Sequence, residues 1–215
     1  MKKIILFDID YTLFDTQLFR EKLYKSIANA LGCDIKDSSE NIDEMYDEIR
    51  AEKGYFQPKI FSLQLARKLG REKDAQLIEK AIFAKENFKN CLYKESLKAI
   101  EKLSKIISVG IFSKGYNSFQ RNKIKVLKNV LNNKNVHIFV NKRKSLPKII
   151  DRYKDFKLYI IDDALDVLFE AWKLRKDIVT IWVKRGIYAK NQKPIENFKP
   201  DAIIKNLGEL ISVIK

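Results

Sequence analysis

The apolar positions of this chain change period twice. Ile4 to Phe7 form an unbroken apolar run closed by acidic residues, which reads as a buried strand. From residue 17 to 92 the apolar positions recur at helical spacing instead. Leu18, Leu23, Ile27, Ala30 and Leu31 predict a helix stopped by Gly32. Ile42, Met45, Tyr46 and Ile49 predict a second, with Ser38 or Ser39 as N-cap and Gly54 at its end. A third begins near Pro58, carries Phe61, Leu65 and Leu69 on one face, and ends at Gly70. A fourth covers about 72 to 90, and no strand is expected anywhere in this stretch.

From about residue 94 strands and single helices alternate. A helix with Leu97, Ile100 and Leu103 leads to a strand ending at Ser113, then a helix over about 117–132 and a strand Val136 to Val140. Pro147 opens another helix. The strand Leu158 to Ile161, a helix over about 165–175, the strand Ile178 to Val183, a short Ala202 to Ile204 segment and a last helix complete the chain. Such alternation implies parallel βαβ units. The expected fold is α/β, a doubly wound parallel sheet with a Rossmann-like core from 1–15 and 93–215. A helical unit, 16–92, is inserted into it.

Composition narrows the class. With 46% hydrophobic residues and only 7 Gly and 4 Pro in 215, the chain is globular rather than disordered. Its apolar runs fall far short of the ~20 residues that span a bilayer. Asp8 and Asp10 cut the first apolar stretch too short for a signal peptide, so a cytoplasmic protein with no membrane partner is expected. Cys33 and Cys91 lack metal-ligand spacing and read as reduced, packed thiols. The single histidine, His137, lies within a strand-like run and reads as structural. It excludes a centre built on several histidines and argues against a Ser-His-Asp triad. Any catalysis must lean on carboxylates.

The net charge of +15, from 43 basic and 28 acidic residues, attracts phosphorylated ligands and polyanions. The lysines are spread over most segments, and no RNA-binding signature accompanies them. They read as solvated helix faces rather than a nucleic-acid surface.

Four polar clusters stand at the carboxyl ends of predicted strands: Asp8/Asp10/Thr12, Ser113-Lys114-Gly115, Lys142-Arg143-Lys144 and Asp162-Asp163. In a parallel sheet these ends share one side, so distant clusters can converge. Together they offer carboxylates for a nucleophile and a cation site, a hydroxyl, and lysines for phosphoryl oxygens, the inventory of phosphoryl transfer. Each also has a plainer reading, because Asp15-Thr16 suits a helix cap and Asp162-Asp163 suits a helix start. The conjunction in this order favours chemistry.

Asp8-Ile9-Asp10-Tyr11-Thr12 with its flanks Phe7 and Leu13-Phe14-Asp15-Thr16, Ser113 ending a strand, Lys144-Ser145-Leu146-Pro147, and Asp162-Asp163 after Leu158–Ile161 resemble the four motifs of the haloacid dehalogenase-like (HAD) hydrolases. Most members are magnesium-dependent phosphatases, and many carry a helical cap after the first motif. The resemblance implies Asp8 as nucleophile, forming an aspartyl phosphate, and Asp10 as general acid and base. It implies Ser113, Thr12, Lys114 and Lys144 on the phosphoryl group, with Lys142 the alternative motif lysine. Asp8, the Asp10 carbonyl, Asp163 and Asp162 would hold Mg²⁺. Tyr11 departs from the pattern, since many members have Gly or Asn there.

The implied reaction is hydrolysis of a small phosphomonoester. A phosphomutase would keep the same residues, and a non-catalytic basic nucleic-acid-binding protein is the reading from another class. Asp10 favours phosphate hydrolysis over dehalogenation, because a leaving alkoxide needs a proton and a halide does not. The partner is then a small-molecule phosphate ester. Either a monomer or a homodimer fits, and the cap is expected to set specificity.

Overall fold

The computed structural model describes residues 1–214, with the backbone alone at 35–38 and 187–188. Ile4 to Phe7 are buried in the strand β1 (Lys2–Phe7). Five helices follow: α1 (Thr16–Leu31), α2 (Ile35–Lys53), α3 (Pro58–Lys68), α4 (Ala75–Ile82) and α5 (Lys85–Phe88). The chain continues through α6 (Ser96–Leu103), β2 (Ser108–Lys114), α7 (Asn117–Lys123), β3 (Val136–Phe139), α8 (Leu146–Arg152) and β4 (Phe156–Asp162). It ends with α9 (Leu165–Leu174), β5 (Val179–Val183), α10 (Gly186–Asn191), β6 (Ala202–Ile204) and α11 (Leu210–Val213). Among the described residues no helix is long and apolar enough to cross a membrane.

Several boundaries depart from the periodicity. Because α2 starts at Ile35, Ser38 and Ser39 lie inside it rather than capping it. The pattern over 72–90 is two helices, parted after Ile82. There the Asn87 amide donates to the carbonyls of Ala81 and Ile82, satisfying the end of α4. The helix expected over 117–132 stops at Lys123 and gives way to 3-10 turns at Lys125–Leu127 and Asn133–Asn135. Ile124, Val126 and Asn129 are weak helix formers, and Ile124 leaves the helical region at φ −105. The short α10 carries no periodic signal and was not foreseen.

The six strands form one parallel sheet in the order β3-β2-β1-β4-β5-β6. β1 pairs with β2 through Ile4↔Ser108 to Phe7↔Ile111, and with β4 through Lys2↔Phe156 to Phe7↔Ile161. This is the doubly wound, Rossmann-like arrangement. The winding direction reverses between β1 and β4, and a crevice beyond their carboxyl ends is where such sheets bind ligands.

By its internal contacts the chain forms two units. One joins Met1–Asp15, Leu92–Lys114 and Lys123 onward. Its core on one sheet face gathers Ile4, Leu6, Phe112, Leu158, Ile160 and Trp182 against Leu146, Leu165 and Leu168 of α8 and α9. The other joins Thr16–Cys91 with Gly115–Asn122. Its core holds Phe19, Leu23, Tyr46, Phe61, Ile78 and Phe119. Phe119 is its aromatic hub, with ring centroids 5.1 to 5.9 Å from those of Phe56, Phe19, Phe88 and Phe83.

Candidate active site

The site starts where β1 runs out. Asp8 still pairs with β4, its N–H donating to the Ile161 carbonyl at 2.9 Å. The chain then folds on itself: the Ile9 carbonyl accepts the N–H groups of Thr12, Leu13 and Phe14, and Tyr11 N–H donates to the Phe14 carbonyl. So tight a turn requires a left-handed residue, and Tyr11 supplies it at φ 56. That conformation suits Gly or Asn, and in a tyrosine it costs on the order of 1–3 kcal/mol. The ring lies beside Gly186, where an added Cβ would stand 2.8 Å from Tyr11 Cδ1.

Three carboxylates and one ammonium meet beyond β1 and β4. Lys142 Nζ donates to Asp8 Oδ1 at 2.6 Å and to Asp162 Oδ2 at 2.5 Å, all three side chains being buried. It also lies 5.2 Å from the Phe112 ring centroid, next to Ser113. The second oxygen of Asp162 accepts the Ala164 N–H at 2.9 Å. Asp163 is fixed through its backbone, the carbonyl accepting Trp182 Nε1 at 2.9 Å and Gln192 Nε2 at 2.7 Å. Oxygens of Asp8, Asp162 and Asp163 lie within 4.8 Å of one another.

One lysine cannot neutralise three buried carboxylates. Burial pushes Asp8 up to about 7; Lys142 opposes the rise, and the charges of Asp162 and Asp10 add to it. Burial likewise raises Asp162, and it raises Asp163 well above the usual carboxylate range, with Asp162 and Asp8 adding repulsion. Burial works against the Lys142 ammonium, but Asp162 and Asp8 outweigh it and keep the group charged. A cluster of hard oxygen donors with surplus negative charge fits a divalent cation such as Mg²⁺. Both oxygens of Asp162 are engaged by protein donors, whereas the Asp163 side chain stands in the cluster apart from Lys142's hydrogen bonds.

The remaining expected residues fall into two groups. Asp10 is partly exposed and its Oδ1 accepts from Lys123 Nζ at 2.5 Å. Ser113 is buried at the end of β2, and Thr12 is fully buried with its Oγ1 lacking a hydrogen-bond partner among the described residues. Lys114 and Lys144 are exposed. The Lys144 backbone N–H donates to Asn141 Oδ1 within the turn Arg143–Ser145, while Lys142, at the turn's N-cap, reaches inward. The spacing to Pro147 favours Lys144, but geometry puts Lys142 on the carboxylates. Lys123, Trp182 and Gln192 were not singled out from the sequence. Lys123 is one of 43 basic residues, on a helix with no motif, so only its burial marks it.

No family model matches the chain, and no curated protein matches it. Solved structures do. A protein described as a haloacid dehalogenase-like hydrolase of Burkholderia xenovorans LB400 aligns with a TM-score of 0.78 and 23% identity over 98% of this chain and 97% of its own. The HAD-hydrolase YfnB of Bacillus subtilis, solved bound to magnesium, aligns with a TM-score of 0.72 and 17% identity over 100% and 99%. L-2-haloacid dehalogenase of Xanthobacter autotrophicus aligns at 0.67 and 14% identity over 100% and 98%. At such identities the likeness carries the fold, which is that of the HAD-like hydrolases.

Proposed function

We propose that this chain is a magnesium-dependent phosphatase, hydrolysing a small phosphomonoester through an aspartyl phosphate on Asp8. The reading is carried by the buried Asp8–Lys142–Asp162–Asp163 cluster, whose excess negative charge suits a cation that, when bound, would offset the repulsion of a phosphoryl group. Displacement of halide from carbon needs neither a cation nor a proton donor, so the cluster and Asp10 weigh against the activity named for the dehalogenase neighbours. The magnesium bound to YfnB supports the same choice.

Asp8 attacks phosphorus while Asp10 protonates the departing alkoxide; Asp10 then takes a proton from water, which attacks the phosphorus and frees Asp8 with release of phosphate. Asp163 and Asp8 would hold the cation, with Asp162 holding Lys142 in place. When bound, the cation offsets charge on the phosphoryl oxygens. Lys142 directs Asp8 and would face the same oxygens, and the Thr12 hydroxyl, without a partner among the described residues, would donate to them with Ser113.

The test is a panel of phosphate esters and 2-haloacids, assayed with Mg²⁺ and with chelator. Wild type should release phosphate only with Mg²⁺, and Asp8→Asn should lose about 1000-fold or more. Halide release from 2-haloacids in chelator, or phosphate release undiminished in Asp8→Asn, would overturn the reading.

A further inference from the structure

We infer that Lys123 is a positioning residue for Asp10, fixing the carboxylate that moves the proton; this rests on the phosphatase reading. Lys123 ends α7, far in sequence from the first motif, and its side chain is 4% exposed. An ammonium so buried is costly to desolvate unless it is paired. Its Nζ meets Asp10 Oδ1 at 2.5 Å and lies 5.4 Å from the Phe14 ring centroid. Both partners belong to one loop, four residues apart. That loop is closed at the same two places, Tyr11 N–H to the Phe14 carbonyl and Phe14 N–H to the Ile9 carbonyl. Lys123 therefore holds the Asp10 side chain against a turn whose backbone is already tied.

Asp10 has reason to need such a hold. Asp8 is aimed by Lys142 and belongs to a mutually packed cluster, whereas Asp10 is 29% exposed and outside that cluster. A partly exposed aspartate can sample several rotamers, and misplacement of a reacting group by about 1 Å can cost about 100-fold in rate. A buried lysine contacting one carboxylate oxygen selects among them. The motif lysine and Lys123 thus divide the work, one on the nucleophile and one on the proton carrier.

A residue acting through Asp10 should matter only where Asp10 matters. Single-turnover release of the leaving group, which precedes the water attack that both esters share, is measured with Mg²⁺ on p-nitrophenyl phosphate, whose leaving group departs without a proton, and on an alkyl phosphate, which needs one. Lys123→Met should lose about 10- to 100-fold on the alkyl ester and under about threefold on the nitrophenyl ester. Lys123→Arg should recover most of the loss. Added to Asp10→Asn, Lys123→Met should cost little more, because the group it positions is gone. Equal losses on both esters, or losses that multiply with those of Asp10→Asn, would overturn the inference. Should Lys123→Met fail to fold, Lys123→Gln takes its place under the same criterion: a leaving-group-dependent loss supports the proposal, and an even loss on both esters overturns it. Wild type inactive on every ester would instead overturn the phosphatase reading beneath it.

Discussion

Asp8 sits where burial makes a charged carboxylate costly to the fold. Its ordinary carboxylate value is pushed up to about 7 in the fold, chiefly by burial. A raised carboxylate stabilises the metal-free protein fully below the unfolded value and loses that stabilisation as pH climbs through the folded one. In chelator, Asp8→Asn should therefore melt above wild type at pH 8, by on the order of 1–3 kcal/mol. The gain should shrink as pH falls through about 7 and vanish near 4; a gain independent of pH would refute it. The lysines give a second contrast. Lys142→Met removes the group between Asp8 and Asp162 and should lower phosphatase activity about 100-fold per folded molecule, whereas exposed Lys144→Met should stay within about twofold. The reverse ranking would restore the sequence preference. His137 keeps a structural role: its ring bonds the Tyr153 hydroxyl at 2.7 Å, and burial, with the charges of Arg152 and Lys148, pulls it down to about 4, so it is neutral at pH 7.

Among the elements, β2 is closely fitted at its centre. It lies between β1 and β3, and Gly110 at its centre faces the turn preceding β3. A Cβ there would stand 2.5 Å from the Asn135 carbonyl oxygen and 2.8 Å from Leu6 Cδ2. Backbone cannot yield as a side-chain tip can. Gly110→Ala should cost about 1–3 kcal/mol, read from urea unfolding, despite a methyl group normally favouring a strand over glycine. No loss would mean that the turn relaxes freely. The same strand reaches the carboxylate cluster, since the Phe112 ring, two residues on, lies 5.2 Å from the Lys142 ammonium.

Across the whole molecule, the helical unit is built from two separate stretches of chain. Residues 115–122, following the end of β2, belong to it by contact and place Phe119 among four phenylalanine rings. Phe119→Ala should destabilise that unit by about 3–5 kcal/mol. Amide exchange is the measurement: protection within residues 16–91 should fall while β1 and β4 keep theirs. A uniform fall through both units would show instead that they unfold as one.

The local alphabet of the chain determined much of this protein. An apolar run ended by Asp8, helical periods after residue 16 and alternating strands from residue 94 sufficed for a parallel sheet, because burial on both faces leaves that mark in any βαβ unit. The same ends of strands located Asp8, Asp162 and Asp163 together, since parallel strands share a ligand-binding edge. Side-chain reach was beyond it. Lys142 and Lys144 differ by two positions, and only the turn between β3 and α8 decided which enters the cluster. Lys123 and Phe119 carry no motif and meet partners distant in sequence, Asp10 for the lysine and Phe19, Phe56, Phe83 and Phe88 for the ring. Such pairings exist only once the backbone has folded, because they are set by distance in space and by the cost of burying a charge, neither of which is written along the chain.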